Sequence, residues 1–383
     1  MFTMNEVIEA IKDKPEFVLR LKDGYWNVDY NVEFETTFQG RTERETEILL
    51  NCRGTCFDLD GNISRLMYRK FKNLGQGFGY QAEDFDFSKP HRIEEKLDGS
   101  LIAPILITQN EWVLGTRAGA TDVSKKADNY LENLKVYNTK KWLQYVDFIQ
   151  VCAFLGYTPM FEYIGRDNRI VIDYPESKLI LHGVRNMKNG EMIYDLESFV
   201  YPFTEIDLVK VVIDENTPMN EMVSAVQQWD GGKEGVVVKF EDGRYFKQKG
   251  IEYIKFHSAI SSIAQEKHLL KLILENTLDD VIPLLQKDRQ ESVLKYSDSV
   301  NHFLSLHNTR LQFEYASAVA KCGKNRKEFA EIAKEIPIYT MGMFKLFDGK
   351  DFSFAEFALK KCGSSTDVES VRWLIGPSIE TFQ

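Results

Sequence analysis

Lys96 lies in the stretch Ile93-Glu94-Glu95-Lys96-Leu97-Asp98-Gly99-Ser100-Leu101, at the end of a strand-like run and just ahead of an Asp-Gly turn. A lysine amine is a nucleophile only while it is neutral, which burial or neighbouring cations favour. The bland alternative is a surface lysine before a type I′ hairpin. Glu162 stands inside the apolar run Thr158-Pro159-Met160-Phe161-Glu162-Tyr163-Ile164. A carboxylate there needs a partner, either an internal cation or a ligand hydroxyl. Glu234 precedes the buried-strand run Gly235-Val236-Val237-Val238. Lys247 and Lys249 alternate with Phe246 and Gln248, so strand geometry puts both ammonium groups on one side. Arg53, followed by Gly54, can aim along a cleft from the head of a strand, and Lys70 sits beside the apolar anchor Phe71. Together these groups could neutralise and attack a phosphate. The glycine run Gly75–Gly79 lacks a G-K-[ST] ending and reads as a surface loop.

The elements that must position these groups follow from periodicity. A short helix is expected over residues 4–13 and a hairpin over 17–32, turning at Lys22-Asp23-Gly24. Leu49 to Leu59 and Arg166 to Ile172 both read as strands, as do 101–107, 112–117, 158–164 and 179–185. A helical region is expected over roughly 122–156, its core face carrying Trp142, Tyr145, Val146, Ile149 and Phe154. A helix over 214–229 and a hairpin joined by Asp242-Gly243 complete the first part. Beyond residue 251 helical spacing dominates, which predicts an α+β domain over 1–250 and an all-helical domain over 251–383.

At 383 residues the chain can build two cores. A net charge of −10 argues against coating nucleic acid by bulk electrostatics, so such contacts must come from local clusters. The densest is Lys321-Cys322-Gly323-Lys324-Asn325-Arg326-Lys327. Five cysteines without a C-x-x-C pair indicate a reducing cytoplasm, and Cys52 and Cys56 read as small core residues of a strand. Neither a leader nor an apolar run of membrane-spanning length is seen, so no membrane partner is expected. The six histidines show no zinc-ligand spacing.

Taken in order, the Arg-Gly strand start, the K-x-D-G turn, the strand glutamate, the E-G-V-V strand and the K-x-K strand resemble the motif set of the covalent nucleotidyltransferases. Leu49–Gly54, Lys70–Leu74, Asn168–Val171, Phe246–Lys249, the His257-Ser258 region and the Lys321–Lys327 cluster are similar to the T-even-phage RNA ligase 1 family across almost the whole chain. The resemblance implies a mixed, mainly antiparallel adenylyltransferase domain followed by a helical domain. It implies an ATP-dependent RNA ligase with Lys96 carrying AMP, and ATP contacts from Tyr30, Arg53, Lys70, Lys96, Gly99, Arg117, Glu162, Glu234, Lys247 and Lys249. Glu162 would hold ribose hydroxyls or a metal-linked water, and with Glu234 a magnesium ion, for which manganese can substitute. Lys321, Lys324, Arg326 and Lys327 would touch RNA, with cleaved tRNA as natural substrate and the protein acting as a cytoplasmic monomer. The departures are Leu97 and Asn51, where acidic residues are common, and Arg117 in place of a lysine. The alternatives are a nick-sealing ligase on duplexes and a non-catalytic RNA-binding protein of the same fold.

Overall fold

A computed structural model describes residues 1–34, 36–263, 265–285, 287–362 and 368–382. Two compact units emerge, Met1–Ile254 and Lys255–Gln383. In the first, α1 (Met4–Ile11) leads into the hairpin β1 (Phe17–Lys22) and β2 (Tyr25–Tyr30), then α2 (Glu43–Asn51), β3 (Thr55–Phe57) and β4 (Ile63–Arg65). These four strands form one antiparallel sheet in the order β1-β2-β3-β4. Thr42 caps α2 by accepting the Glu45 amide, so Leu49–Asn51 end a helix and do not begin a strand. The apolar pair Leu49-Leu50 fits either element; the cap and the two glutamates in the first turn decide it. Cys52 closes that helix, while Cys56 lies in β3, and both are fully buried.

The remaining strands make two further sheets. β5 (His91–Lys96), β6 (Ser100–Leu106), β7 (Trp112–Gly115), α3 (Asp122–Tyr137), α4 (Thr139–Leu155), β8 (Tyr157–Ile164) and β9 (Lys178–Asn186) follow one another. Then come α5 (Leu196–Val200), β10 (Val211–Ile213), α6 (Met219–Gln227), β11 (Gly235–Phe240) and β12 (Tyr245–Lys249). One sheet has the order β10-β5-β11-β12, the other β7-β6-β8-β9, and all their strand pairings are antiparallel. The Asp98-Gly99 turn therefore joins β5 of one sheet to β6 of the other and is not a hairpin. Arg166–Asn168 form a single 3-10 turn, and Arg169–Ile172 are not a strand either. Two of that segment's amides go to the Asp98 carboxylate and not to a sheet neighbour.

Alternation decides which strand faces meet the core. In the β5 sheet, Ile93, Val236, Val238 and Phe246 pack with Met222 and Val226 of α6. The opposite parity, Glu94, Lys96, Val237, Lys247 and Lys249, is left for the cleft face. In the β8 sheet, Ile102, Phe161, Tyr163, Leu179 and Leu181 pack on Tyr145, Phe148 and Ile149 of α4, leaving Glu162 on the other face. The α4 core face differs from expectation: Phe148 and Cys152 are buried, whereas Phe154 is 69% exposed and Val146 only half-buried. Phe154 lies near the helix end, where the 100° advance per residue has carried it off the buried stripe.

The second unit is helical. It contains α7 residues from the helix Ile251–Ile263, then α8 (Glu266–Leu274), α9 (Lys287–Cys322), α10 (Arg326–Lys334), α11 (Thr340–Phe347), α12 (Phe354–Cys362) and α13 (Arg372–Ile375). Its core gathers Leu269, Leu270, Tyr296, Val300, Leu311, Phe329, Met343 and Leu374.

Candidate active site

A cavity of about 270 Å³ is lined by Arg53, Lys96, Gly99, Glu162 and Lys247, together with residues that the sequence did not single out. Antiparallel register builds one wall. Lys96 stands opposite Gly235, which stands opposite Lys249; one pleat along, Glu94, Val237 and Lys247 form the next row. Glu234, on the adjoining turn, is buried, and its Oε1 meets Lys96 Nζ at 2.7 Å and Lys249 Nζ at 2.9 Å. A carboxylate thus sits between two ammonium groups that would otherwise repel each other. The sequence reading gave Glu234 to a magnesium ion; the structure pairs it directly with Lys96.

Lys247 is the amine with the altered chemistry. Burial, reinforced by Lys96, Lys249, Lys70 and Arg53, pulls its pKa down to about 8. Its backbone is held by the Lys70–Leu74 segment: the Lys247 amide donates to the Lys72 carbonyl at 3.1 Å, and the Leu74 amide to the Lys247 carbonyl at 3.0 Å. The K-F-K-N-L run therefore lies against the K-x-K strand and delivers Phe71 to the cavity wall.

Two glycines are required by close approach. A Cβ on Gly99 would fall 2.4 Å from the Tyr163 carbonyl oxygen and 3.0 Å from Glu162 Cγ. Gly54 has φ +77°, and its Cβ would meet the Arg117 carbonyl oxygen at 2.7 Å. This second contact brings the Arg53-Gly54 turn against the strand end that carries Arg117.

Tyr30, Lys70 and Arg117 form a cluster of their own. The Arg117 guanidinium lies 4.4 Å from the Tyr30 ring centre and pairs with Asp29 at 3.0 Å. Lys70 donates to the Tyr30 hydroxyl at 3.2 Å and pairs with Glu33. Tyr30 is 6% exposed, a core partner of Phe17 and Phe38, and does not line the cavity. Burial raises the Asp29 carboxyl above its ordinary range, opposed by Arg117.

Sequence reasoning missed Asp98 and four cavity residues. Asp98 is buried and accepts the Val171 and Ile172 amides at 2.8 Å and the Tyr253 hydroxyl at 2.7 Å. It fastens the turn after Lys96 to two separate segments. Replacing it with alanine removes the acceptor from three donors, two of them buried, so Asp98→Ala is expected to destabilise the first unit by about 3 kcal/mol. A fall in its melting temperature, with Asp98→Asn intermediate, checks this. Glu94 and Lys239 form an ion pair in the cavity wall, and Tyr68 and His182 stack beside it. Glu94 shares the parity of Lys96, a signal present in the sequence; the pairing of Lys239 with it needed the strand register.

The family departures have local reasons. Leu97 packs with Ile164 and Val209, so an acidic residue there would lose an apolar contact. Asn51 Oδ1 accepts from Arg185 at 2.7 Å. With an amide where a carboxylate is common, burial holds Arg185 down at about 10.

In the second unit Lys321, Lys324, Arg326 and Lys327 are all exposed, and Arg326 pairs with Asp348. Asn325 caps α10. Among the described residues, no three His, Cys, Asp or Glu side chains are grouped to hold a cation. Among them also, no helix is long and apolar enough to cross a membrane.

Comparison with known proteins adds the following. A family model described as RNA ligase matches residues 51–258. An RNA ligase of Rhodothermus phage RM378 is 26% identical over 356 residues, covering 82% of this chain and 76% of its own. An archaeal ATP-dependent RNA ligase structure superposes with a TM-score of 0.44 at 12% identity, over 90% of this chain and 96% of that one. A Naegleria gruberi RNA ligase variant solved with ATP and Mn gives a TM-score of 0.34 at 15% identity; the match covers 44% of this chain and about half of that one, 51%.

Proposed function

Given that this chain belongs to the RNA ligase family, whose model matches residues 51–258, we propose that it joins RNA 3′-hydroxyl and 5′-phosphate ends at the expense of ATP, with Lys96 as nucleophile. The observation that carries the reading is Lys96 at a cavity wall, held at 2.7 Å by Glu234, with Lys247 and Lys249 on the same sheet face.

In the first step Lys96 Nζ attacks the α-phosphorus. An N–P bond forms, the bond to the bridging oxygen breaks, and pyrophosphate leaves. The amine must lose a proton, and Glu234 Oε1 lies within reach to take it. Lys247 and Arg53 supply positive charge where phosphate oxygens develop negative charge. In the second step the RNA 5′-phosphate attacks the same phosphorus and the N–P bond breaks. In the third a 3′-hydroxyl attacks the RNA phosphate, and AMP leaves.

Glu162 and Glu234 are the hard oxygen donors suited to magnesium, or manganese in its place, with phosphates and water completing its shell. Such an ion would supply charge stabilisation to the departing pyrophosphate. Glu162 also faces the cavity as an acceptor for ribose hydroxyls. Lys70, whose charge acts on Lys247, extends the cationic surface from the separate cluster it forms with Tyr30 and Arg117, and Gly99 keeps the backbone of the cavity wall free of a side chain.

We assign the substrate as a cleaved tRNA anticodon loop, joined by a cytoplasmic monomer, and the exposed Lys321–Lys327 cluster as its phosphate contact. Incubation with α-labelled ATP and magnesium, then a chase with 5′-phosphorylated single-stranded RNA, tests the reading. A covalent label that passes to the RNA end is expected; label that never forms would reduce the protein to a binder. Reversing Lys324 and Lys327 to glutamate is expected to weaken RNA joining about tenfold at moderate salt and to leave labelling intact. Equal loss of both steps would reassign the cluster to structural support.

A further inference from the structure

The protonation pattern of His182 can be worked out from the bonds around it. The Tyr68 hydroxyl donates to the His182 carbonyl at 2.7 Å. A phenol has one proton, so toward His182 Nδ1, 3.2 Å away, the same oxygen can only accept. Nδ1 therefore carries a hydrogen, and in the neutral ring Nε2 is a bare acceptor. The ring is held in this attitude: it stacks on Tyr68 at 5.4 Å with 9° between planes, and the Lys239 ammonium also binds the His182 carbonyl.

Nε2 is buried and has no hydrogen-bond partner among the described residues. It faces Glu162 Oε2 at 3.5 Å, which is another acceptor. In that form a buried nitrogen faces a half-buried carboxylate oxygen with no donor between them, which costs the fold unless a ligand supplies one. Natural structures satisfy nearly all such groups, and exceptions point to a ligand, ion or water. Both atoms belong to side chains that line the cavity. A ligand offering two adjacent donors would satisfy both once the Glu162 carboxylate turns about its own side-chain bonds to admit them.

We propose that His182 Nε2 and Glu162 together accept the hydrogen bonds of the two ribose hydroxyls of ATP, which makes His182 a ribose-reading residue. This rests on the ligase reading of the same cavity. A vicinal diol presents two O–H donors side by side, matching two acceptors that already lie side by side. The exocyclic amine of adenine also offers two donors, and the test separates the two.

The experiment measures the rate of Lys96 labelling with ATP, 2′-deoxy-ATP, 3′-deoxy-ATP and inosine triphosphate in wild type, His182→Leu and His182→Gln. Leucine keeps the bulk and removes the acceptor, whereas glutamine places a carbonyl oxygen near the position of Nε2. For His182→Leu the KM for ATP is expected to rise about tenfold, with the preference for ATP over one deoxy analogue shrinking by a similar factor. His182→Gln should retain most of the wild-type behaviour, and the ratio of ATP to inosine triphosphate should not change. The proposal is overturned if glutamine fails as badly as leucine. It also falls if the inosine ratio moves while the deoxy ratios do not, which would reassign the contact to the base. Wild type labelled normally with His182→Leu indistinguishable from it would sink this inference alone. Absence of label in wild type with every nucleotide would remove the ligase reading and this inference with it.

Discussion

Lys96→Arg is expected to form no covalent adenylate while folding normally. Arginine keeps the positive charge that Glu234 meets at 2.7 Å, so the ion pair and the Glu234–Lys249 contact survive. A guanidinium stays protonated at any workable pH and has no lone pair to offer phosphorus. The loss should exceed about a thousandfold in labelling, since the other amines of that sheet face, Lys247 and Lys249, stand two strands away on β12. The variant should still seal RNA supplied with a pre-adenylylated 5′ end, because the final step uses the 3′-hydroxyl and not the lysine. Measurable labelling of Lys96→Arg would show that another residue carries AMP. Failure on pre-adenylylated RNA, with an unchanged melting curve, would mean that Lys96 also serves the last step.

ATP binding should weaken as pH rises through about 8, and Lys247 should be the cause. Buried among cations, Lys247 has a pKa of about 8 against an ordinary 10.5. Between those values the unfolded chain binds more protons than the folded one, so this group's contribution to stability rises as pH climbs through that window. Below about 8 its forced charge is a cost to the fold. Polyphosphate reverses the preference, because an anion beside the amine favours its ammonium form. Binding above pH 8 must then take up a proton, and affinity should fall by up to about tenfold per pH unit until the bound-state pKa is reached. A non-hydrolysable ATP analogue, titrated calorimetrically in buffers of different ionisation enthalpy, counts that proton directly. Lys247→Met should bind about ten- to a hundredfold more weakly at pH 7 and lose the step near pH 8. A wild-type affinity that is flat from pH 7 to 9.5 would rule out Lys247 as the titrating group.

Much of this site was legible in the sequence because strands write their faces with a period of two. Lys247 and Lys249 were placed on one side by counting, and the hairpin that pairs Gly235 with Lys249 follows from Asp242-Gly243. What counting could not supply was the neighbour across the sheet. Glu94 was visible beside Lys96, yet its partner Lys239 lies 145 positions away and is found only through register. The Asp98-Gly99 turn was ambiguous for a related reason. Turn chemistry states that the chain reverses, not whether it returns to the same sheet. Arg166–Ile172 carried strand-like residues, but their amides were claimed by a carboxylate far away in sequence. The Leu49–Asn51 end of α2 was apolar enough to suit a strand, and only the cap at Thr42 shows the helix. The helical nature of the last third was the easiest element to read, because α9 alone sustains its pattern for 36 residues.

The tight crossing at Gly99 has a mechanical consequence. There the two cleft-forming sheets are joined by three residues, with a backbone oxygen 2.4 Å from where a Cβ would be. They cannot slide or part at that edge without breaking the seat of Asp98. Breathing of the cleft is expected to be small at this edge, and the Lys239 bond to the His182 carbonyl ties the two sheets a second time. On the ligase reading, Lys96, immediately before this crossing, would stay nearly fixed while the cleft exchanged pyrophosphate for an RNA end.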